Sequence, residues 1–206
     1  MTSEQPRMAI PLPSEMADML FSTTQEVFTS MLGSDIQRVS APEAERSTPF
    51  DGVLSLIGLA GALIGNGALV CSAEAACDLS SHLLCTEFSQ VDEEVLDAVG
   101  EITNMIVGGF KNLLESHVGM LQMSIPSVIF GKNICTRDAK ADVAVVVRCA
   151  FPGGEVALTV RLAAAPGTMC RPVSKERLEN SAGKPILIVK APVCKIKEPG
   201  TPVDEG

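Results

Sequence analysis

One stretch, from Ser89 to Glu115, constrains the fold more than any other part of the chain. On a helix that turns about 100° per residue, it separates into an apolar face and a polar face. The apolar face carries Val95, Val99, Ile102, Ile106, Phe110 and Leu113, flanked by Leu96 and Leu114. Such a stripe is typical of a helix packed on a core, and Ser89 and Asp92 are predicted to cap its start.

The opposite face of this predicted helix is polar and has a glycine in its middle. It carries Asp97, Glu101, Asn104, Gly108, Asn112 and Glu115. A glycine inside a helix costs about 1 kcal/mol relative to alanine, so an exposed one indicates a need for close approach. We hypothesise that Gly108 leaves bare backbone, one turn from Asn104, for another surface. Alternatively, Gly108 allows close packing of a neighbouring helix, and Glu101 and Asn104 are simply solvated.

Composition and charge exclude several classes of function. The chain has 206 residues, a formal net charge of -9, and no Trp or Tyr. The negative charge argues against nucleic acid and anionic membranes as partners, and few aromatic platforms are left for stacking bases. Seven cysteines without a CxxC pair, and an N-terminus unlike a signal peptide, predict reduced thiols in a cytoplasmic protein. His82 and His117 lack ligand spacing to cysteine, so no metal site is expected.

The order of apolar and polar segments predicts an α+β fold, with a largely antiparallel β-sheet and long helices packed on one face. We expect an irregular lead-in over residues 1–13, a folded domain over 14–164, and a mostly flexible tail, rich in proline and charge, over 165–206. A first helix should begin near Ser14 and end at Gly33. The segment from Asp35 to Phe50 is a strand or a connecting loop.

The segment from Gly52 to Ser72 has no charged residue, which raises the possibility of a membrane-spanning helix. Glycines interrupt it repeatedly, and Asn66-Gly67 is a strong turn signal. We therefore predict two buried strands, Val53–Leu59 and Ala68–Cys71, joined by a glycine-rich turn, and no membrane span.

Further along, Ala73–Cys85 predicts a helix that packs Leu79, Leu83 and Leu84 inward. Three further strands, predicted as a meander, are Met120–Gly131, Asp142–Phe151 and Glu155–Ala164, the last two joined by a turn at Pro152-Gly153-Gly154.

Glu101 and Asn104 are three residues apart, so their side chains project side by side from a helix. A carboxamide has no useful pKa and cannot act as a general base, but it can hold a water in a fixed line of attack. Phosphoryl transfer needs little more than such positioning together with a metal ion. The sequence shows no nucleophile–base pair and no P-loop. If the protein is an enzyme, its partner must therefore supply the rest of the active site.

These residues resemble the E-x-x-N-x-x-x-G signature of the CheX branch of the CheC/CheX/FliY phosphatases. The signature stands as Glu101, Asn104 and Gly108 within DAVGEITNMIVGG. The resemblance extends from about Ser14 to Ala164 and includes the SIPSVIFG segment that follows the motif. CheC-type members carry two copies of the motif and this chain has one, so CheX is the closer match.

The resemblance implies an aspartyl-phosphate phosphatase, a hydrolase that acts on phosphorylated CheY-type response regulators. Glu101 would bond the receiver's active-site lysine, and Asn104 would orient the hydrolytic water. The Mg²⁺ ion would be bound mainly by the receiver's own acids. Asp97, Gly108 and Asn112 would contact the partner. A homodimer is expected, since relatives pair through sheet edges and the apolar strand Val143–Val147 needs cover.

Two other functions stay open at this point. The chain could be a non-catalytic module that uses the same helix face to bind a receiver domain or a flagellar-switch component. It could also be a structural protein whose helix face is a dimer contact.

Overall fold

The computed structural model describes residues 10–40, 49–136 and 141–166. Within these ranges lie three helices and seven strands: α1 (Pro13–Met31), β1 (Gln37–Val39), β2 (Phe50–Gly61), β3 (Leu63–Cys71), α2 (Ala73–Leu84), α3 (Glu93–Val118), β4 (Leu121–Met123), β5 (Ser127–Ile134), β6 (Val143–Phe151) and β7 (Gly154–Ala164). The architecture is the predicted α+β class. The segments predicted as a lead-in and a tail lie almost entirely outside the described residues.

The strands form one antiparallel sheet in the order β1-β6-β7-β3-β2, and both β4 and β5 pair with the outer side of β2. The β6–β7 hairpin is confirmed. The predicted three-stranded meander is wrong, because β5 pairs with β2 and not with β6. The single strand predicted over Met120–Gly131 is also broken in two. Pro126, which has no backbone N–H to donate to a ladder, stands in the break.

The core lies between one face of the sheet and the three helices. On α3 the predicted residues Val95, Val99, Ile102, Ile106 and Phe110 are all fully buried. The prediction for Leu113 is wrong: its side chain is 43% exposed, whereas Leu114 is fully buried. Leu114 follows Phe110 by four residues and so continues the buried stripe. Leu84 was also predicted to be buried, but it ends α2 and is 44% exposed.

The charge-free segment forms β2 and β3, which reverse direction around Gly61 to Leu63. Gly61 has a φ of 155°, which disfavours a side chain. The turn predicted at Asn66-Gly67 is wrong, because both residues lie within β3. Gly67 instead faces α3, and a Cβ there would lie 2.7 Å from Val107 Cγ2. In the part of the chain that the structure describes, no helix combines the length and apolar character needed to cross a membrane.

Two ends of the fold differ in detail from the prediction. Helix α1 begins one residue early, at Pro13, and its N-cap is Leu12. β1 is short and pairs with β6 only at residues 148–150. Within the described ranges, the outer edge of Val143–Val147 therefore has no strand partner, and the homodimer stays a prediction.

The described cysteines are free thiols. Cys71, Cys77 and Cys149 are buried, whereas Cys85 and Cys135 are exposed. Burial raises the pKa of Cys71 to about 12 and that of Cys149 to about 11. These two thiols therefore stay protonated at neutral pH, as unreactive core residues do.

We predict that Gly67→Ala destabilises the fold. Val107 is buried and β-branched, so it cannot move aside cheaply, and overpacking of this kind costs about 1–3 kcal/mol. The free energy of unfolding in urea measures the effect. Gly131→Ala is the matched control, because a Cβ there comes no closer than 3.7 Å to Ile134. Adding Val107→Ala to Gly67→Ala should recover part of the lost stability. Equal stability of Gly67→Ala and Gly131→Ala would contradict the packing argument.

Candidate functional site

Helix α3 is held at both of its ends. At the start, Asp92 Oδ1 accepts a hydrogen bond from Val95 N at 3.0 Å. Asp92 is therefore the N-cap, and Ser89 lies outside the cap. At the other end, Glu115 Oε1 accepts from Leu121 N at 2.7 Å and lies 2.9 Å from Lys111 Nζ. The backbone N–H of Leu121 and the ammonium group of Lys111 lower the pKa of Glu115. The helix is thereby joined to β4 and presents a rigid outer face.

The outer face of α3 carries the predicted polar residues away from the core. Asp97 and Glu101 are exposed, and Asn104 and Gly108 are half-buried. Within the described residues, the side chains of Glu101 and Asn104 make no hydrogen bond or ion pair. The carboxylate and the carboxamide are therefore both available to a partner.

The backbone at Gly108 is less accessible than the sequence predicts. A Cβ on Gly108 would lie 3.6 Å from Cε of Met123, at ordinary contact distance. The thioether of β4 therefore lies beside this backbone, and the free patch is narrower than predicted. The close helix packing that we considered for Gly108 occurs at Gly109, where a Cβ would lie 3.1 Å from Cγ2 of Thr23 in α1.

The connection between β4 and β5 borders α3 on the side of Asn104. A Cβ on Gly100 would lie 3.7 Å from Pro126, and Gly100, Asn104 and Gly108 follow one another at intervals of four residues. Ser124 holds this connection in place: its Oγ accepts from Gly58 N at 2.8 Å and donates to the carbonyl of Ile125 at 2.8 Å. Ile125 is 85% exposed. The fold thus presents an anchored apolar turn on this flank of α3.

A shallow groove of about 580 Å³ borders α3 on the other flank, where α2 ends. It is lined by Leu83, Leu84, Glu94, Asp97, Ala98 and Glu101. Sequence reasoning missed this groove because it assigned Leu84 to the core. The helical pattern in the sequence ends at Cys85, and this end could have indicated that Leu84 is exposed. In the structure Cys85 adopts a left-handed conformation with a φ of 54° and terminates α2.

All five predicted site residues lie on the outer side of α3, where Asp97, Glu101 and Asn112 are exposed and Asn104 and Gly108 are half-buried. Asn104, Gly108 and Asn112 follow one another at intervals of about 6 Å along the helix axis. The carboxamide oxygen of Asn112 accepts a hydrogen bond from Lys111 Nζ at 3.2 Å, so this oxygen already has a partner.

The chemistry available at this site is limited to charge and positioning. Among the described residues, no group of three His, Cys, Asp or Glu side chains is placed to hold a metal ion. A free carboxylate can bond a cation, and a free carboxamide beside it can orient a water. Charge and positioning are therefore what Glu101 and Asn104 themselves can supply to a reaction.

The sequence matches the model of a family described as Chemotaxis phosphatase CheX over residues 53–150. This range begins in β2, ends in β6, and includes Glu101, Asn104 and Gly108. No curated protein sequence matches the chain.

The fold is also that of solved CheX structures. CheX of Vibrio vulnificus is 24% identical, with a TM-score of 0.62 over 74% of this chain and 99% of that one. CheX of Desulfovibrio desulfuricans is 22% identical, with a TM-score of 0.64 over 72% and 99%. CheX in the CheX–CheY–BeF₃–Mg²⁺ complex of Borrelia burgdorferi is 19% identical, with a TM-score of 0.56 over 71% and 96%. The resemblance to the CheX family drawn from Glu101, Asn104 and Gly108 is therefore confirmed, by the family match over residues 53–150 and by a shared fold.

Proposed function

We propose that this protein is a phosphatase that hydrolyses the aspartyl phosphate of a CheY-type response regulator. One observation carries the proposal: within the segment that matches the CheX family, Glu101 and Asn104 stand on the outer face of α3 with no partner among the described residues. An anchored helix that displays one carboxylate and one carboxamide suits insertion into another protein's reaction centre.

Each of the two side chains has one proposed task. The Glu101 carboxylate accepts a hydrogen bond from the active-site lysine of the receiver and so sets the position of α3 over the phosphoryl group. The Asn104 carboxamide, three residues on, accepts a hydrogen bond from one water through Oδ1 and holds this water in line with the bond between phosphorus and the aspartyl oxygen. The water oxygen bonds to phosphorus, and the P–O bond to the aspartyl oxygen breaks. The aspartate leaves as a carboxylate, and both protons of the water stay on the phosphate, which is released as H₂PO₄⁻.

Positioning, together with charge stabilisation, supplies nearly all of the catalysis in this reaction. The transferred phosphoryl group passes through a loose transition state, so little covalent chemistry is asked of the protein. Mg²⁺, bound by the receiver's own acids, supplies the charge stabilisation. The CheX–CheY–BeF₃–Mg²⁺ complex of Borrelia burgdorferi supports a CheY-like partner.

We predict that Asn104→Ala abolishes phosphatase activity and leaves the fold intact. Without the carboxamide the water loses its fixed orientation, and a misplaced reactant costs about 100-fold or more in rate. Phosphate release from phosphorylated receivers in the presence of Mg²⁺ measures the loss, and circular dichroism checks the fold. Gln37→Ala is the matched control, because Gln37 is an exposed carboxamide on β1, at the other edge of the sheet.

An Asn104→Ala variant that releases phosphate at the parent rate would contradict the proposed role of the carboxamide. Parent protein that binds receivers without accelerating hydrolysis of any of them would favour the non-catalytic binding module.

We predict that Glu101→Ala acts mainly on the complex, because the carboxylate bonds the receiver and touches no reacting atom. The dissociation constant for an activated receiver should rise, whereas Asn104→Ala should bind nearly as the parent does. Titration calorimetry with both variants measures the difference. A Glu101→Ala variant with unchanged affinity would contradict the proposed bond between Glu101 and the receiver's lysine.

Gly108→Ala separates the structural and the functional reasons for this glycine. Alanine fits beside Met123 at ordinary contact distance and favours the helix by about 1 kcal/mol, so we predict a more stable protein. If the receiver approaches the backbone at Gly108, the added methyl group weakens receiver binding at the same time. Urea unfolding and receiver titration test the two effects. Greater stability with unchanged binding would exclude a role in docking.

A further inference from the structure

We propose that the groove between the end of α2 and α3 is a second contact site for the receiver. It would accept an apolar side chain flanked by basic groups and so select which response regulators serve as substrates. This inference rests on the proposed docking of a receiver on α3.

The groove has an apolar wall and an acidic rim. Leu83, Leu84 and Ala98 form the apolar part, and the carboxylates of Glu94, Asp97 and Glu101 form the rim. Helix α2 ends at Leu84, and Leu84 is left 44% exposed beside α3. An apolar side chain of a partner would remove this leucine from water.

The groove is continuous with the proposed catalytic pair, because Glu101 belongs to both. Asp97 lies about 6 Å, and Glu94 about 10 Å, from Glu101 along the helix axis toward its start. A receiver whose lysine reaches Glu101 would lie directly beside the groove. We therefore take the receiver itself as the occupant of the groove.

The charge of the groove indicates the chemistry of the contacting segment. Three carboxylates line it, no Lys or Arg does, and none of the three is in an ion pair among the described residues. Basic groups on the receiver would be attracted to this rim, and acidic groups would be repelled. Such repulsion suppresses the binding of acidic partners and so adds to the discrimination between related receivers.

Two pairs of variants test the groove against matched controls on the same protein. Leu84→Ser removes the apolar contact, and Leu113→Ser is its control, because Leu113 is equally exposed at 43% and lies outside the groove. Glu94→Lys reverses a rim charge. Glu93→Lys is its control, because Glu93 shares the first turn of α3 but does not line the groove. Both lysine variants place a positive charge in the first turn of α3, so each has the same unfavourable interaction with the helix dipole.

The measurement is calorimetric titration of purified CheY-type receivers, activated with beryllofluoride and Mg²⁺, together with phosphatase kinetics. We expect Leu84→Ser and Glu94→Lys to raise the dissociation constant about tenfold and to raise KM at unchanged kcat. The two controls should stay within about twofold of the parent. Added salt should weaken the parent complex more than the Glu94→Lys complex, because one attraction is missing in the variant.

Failure of this inference differs from failure of the proposed function. If the parent binds and hydrolyses and the groove variants behave as their controls do, the groove proposal is overturned and the phosphatase stands. If the groove variants bind weakly but no receiver is hydrolysed, the groove stands and the phosphatase is overturned. A parent that binds no activated receiver overturns both.

Discussion

The burial of one side of α3 against the sheet is the interaction on which the rest of this structure depends. Six apolar side chains along this helix are fully buried, at 0% exposure, and burial of each such side chain contributes about 1.5–3 kcal/mol. Gly67 on the sheet and Gly109 on the helix let neighbouring elements approach closely. Because the helix cannot rotate without exposing this stripe, the opposite face, with Glu101 and Asn104, must point outward.

Rigidity is the second contribution of the fold to the proposed site. The cap at Asp92 and the bonds from Glu115 to Lys111 and Leu121 hold both ends of α3. The proposed site consists of only two side chains. Its effect on rate would therefore come from holding the reacting groups in fixed positions. A helix anchored on a sheet supplies that positional order better than a loop does.

The two flanks of α3 differ in a way that suits recognition of one partner. On the side of Asn104, the turn held by Ser124 presents Ile125. On the side of Glu101, the groove presents Leu84 below an acidic rim. Glu101 and Asn104 are thus placed between surfaces that differ in shape and charge. Under the proposed function, Glu101 bonds the receiver, Asn104 orients the water, and the groove beside Glu101 selects the substrate.

Local patterns in the sequence determined the helix α3, its two faces and the β6–β7 hairpin, because helical periodicity and turn chemistry act between residues close in the chain. The E-x-x-N-x-x-x-G pattern also located the outward pair. Only the tertiary structure decided the pairing of β5 with β2, the place of Gly67 against Val107, the cover of Gly108 by Met123 and the exposure of Leu84. Each of these depends on a contact between residues far apart in the chain. Such packing overrides a local turn signal, as it does at Asn66-Gly67, which lies within β3.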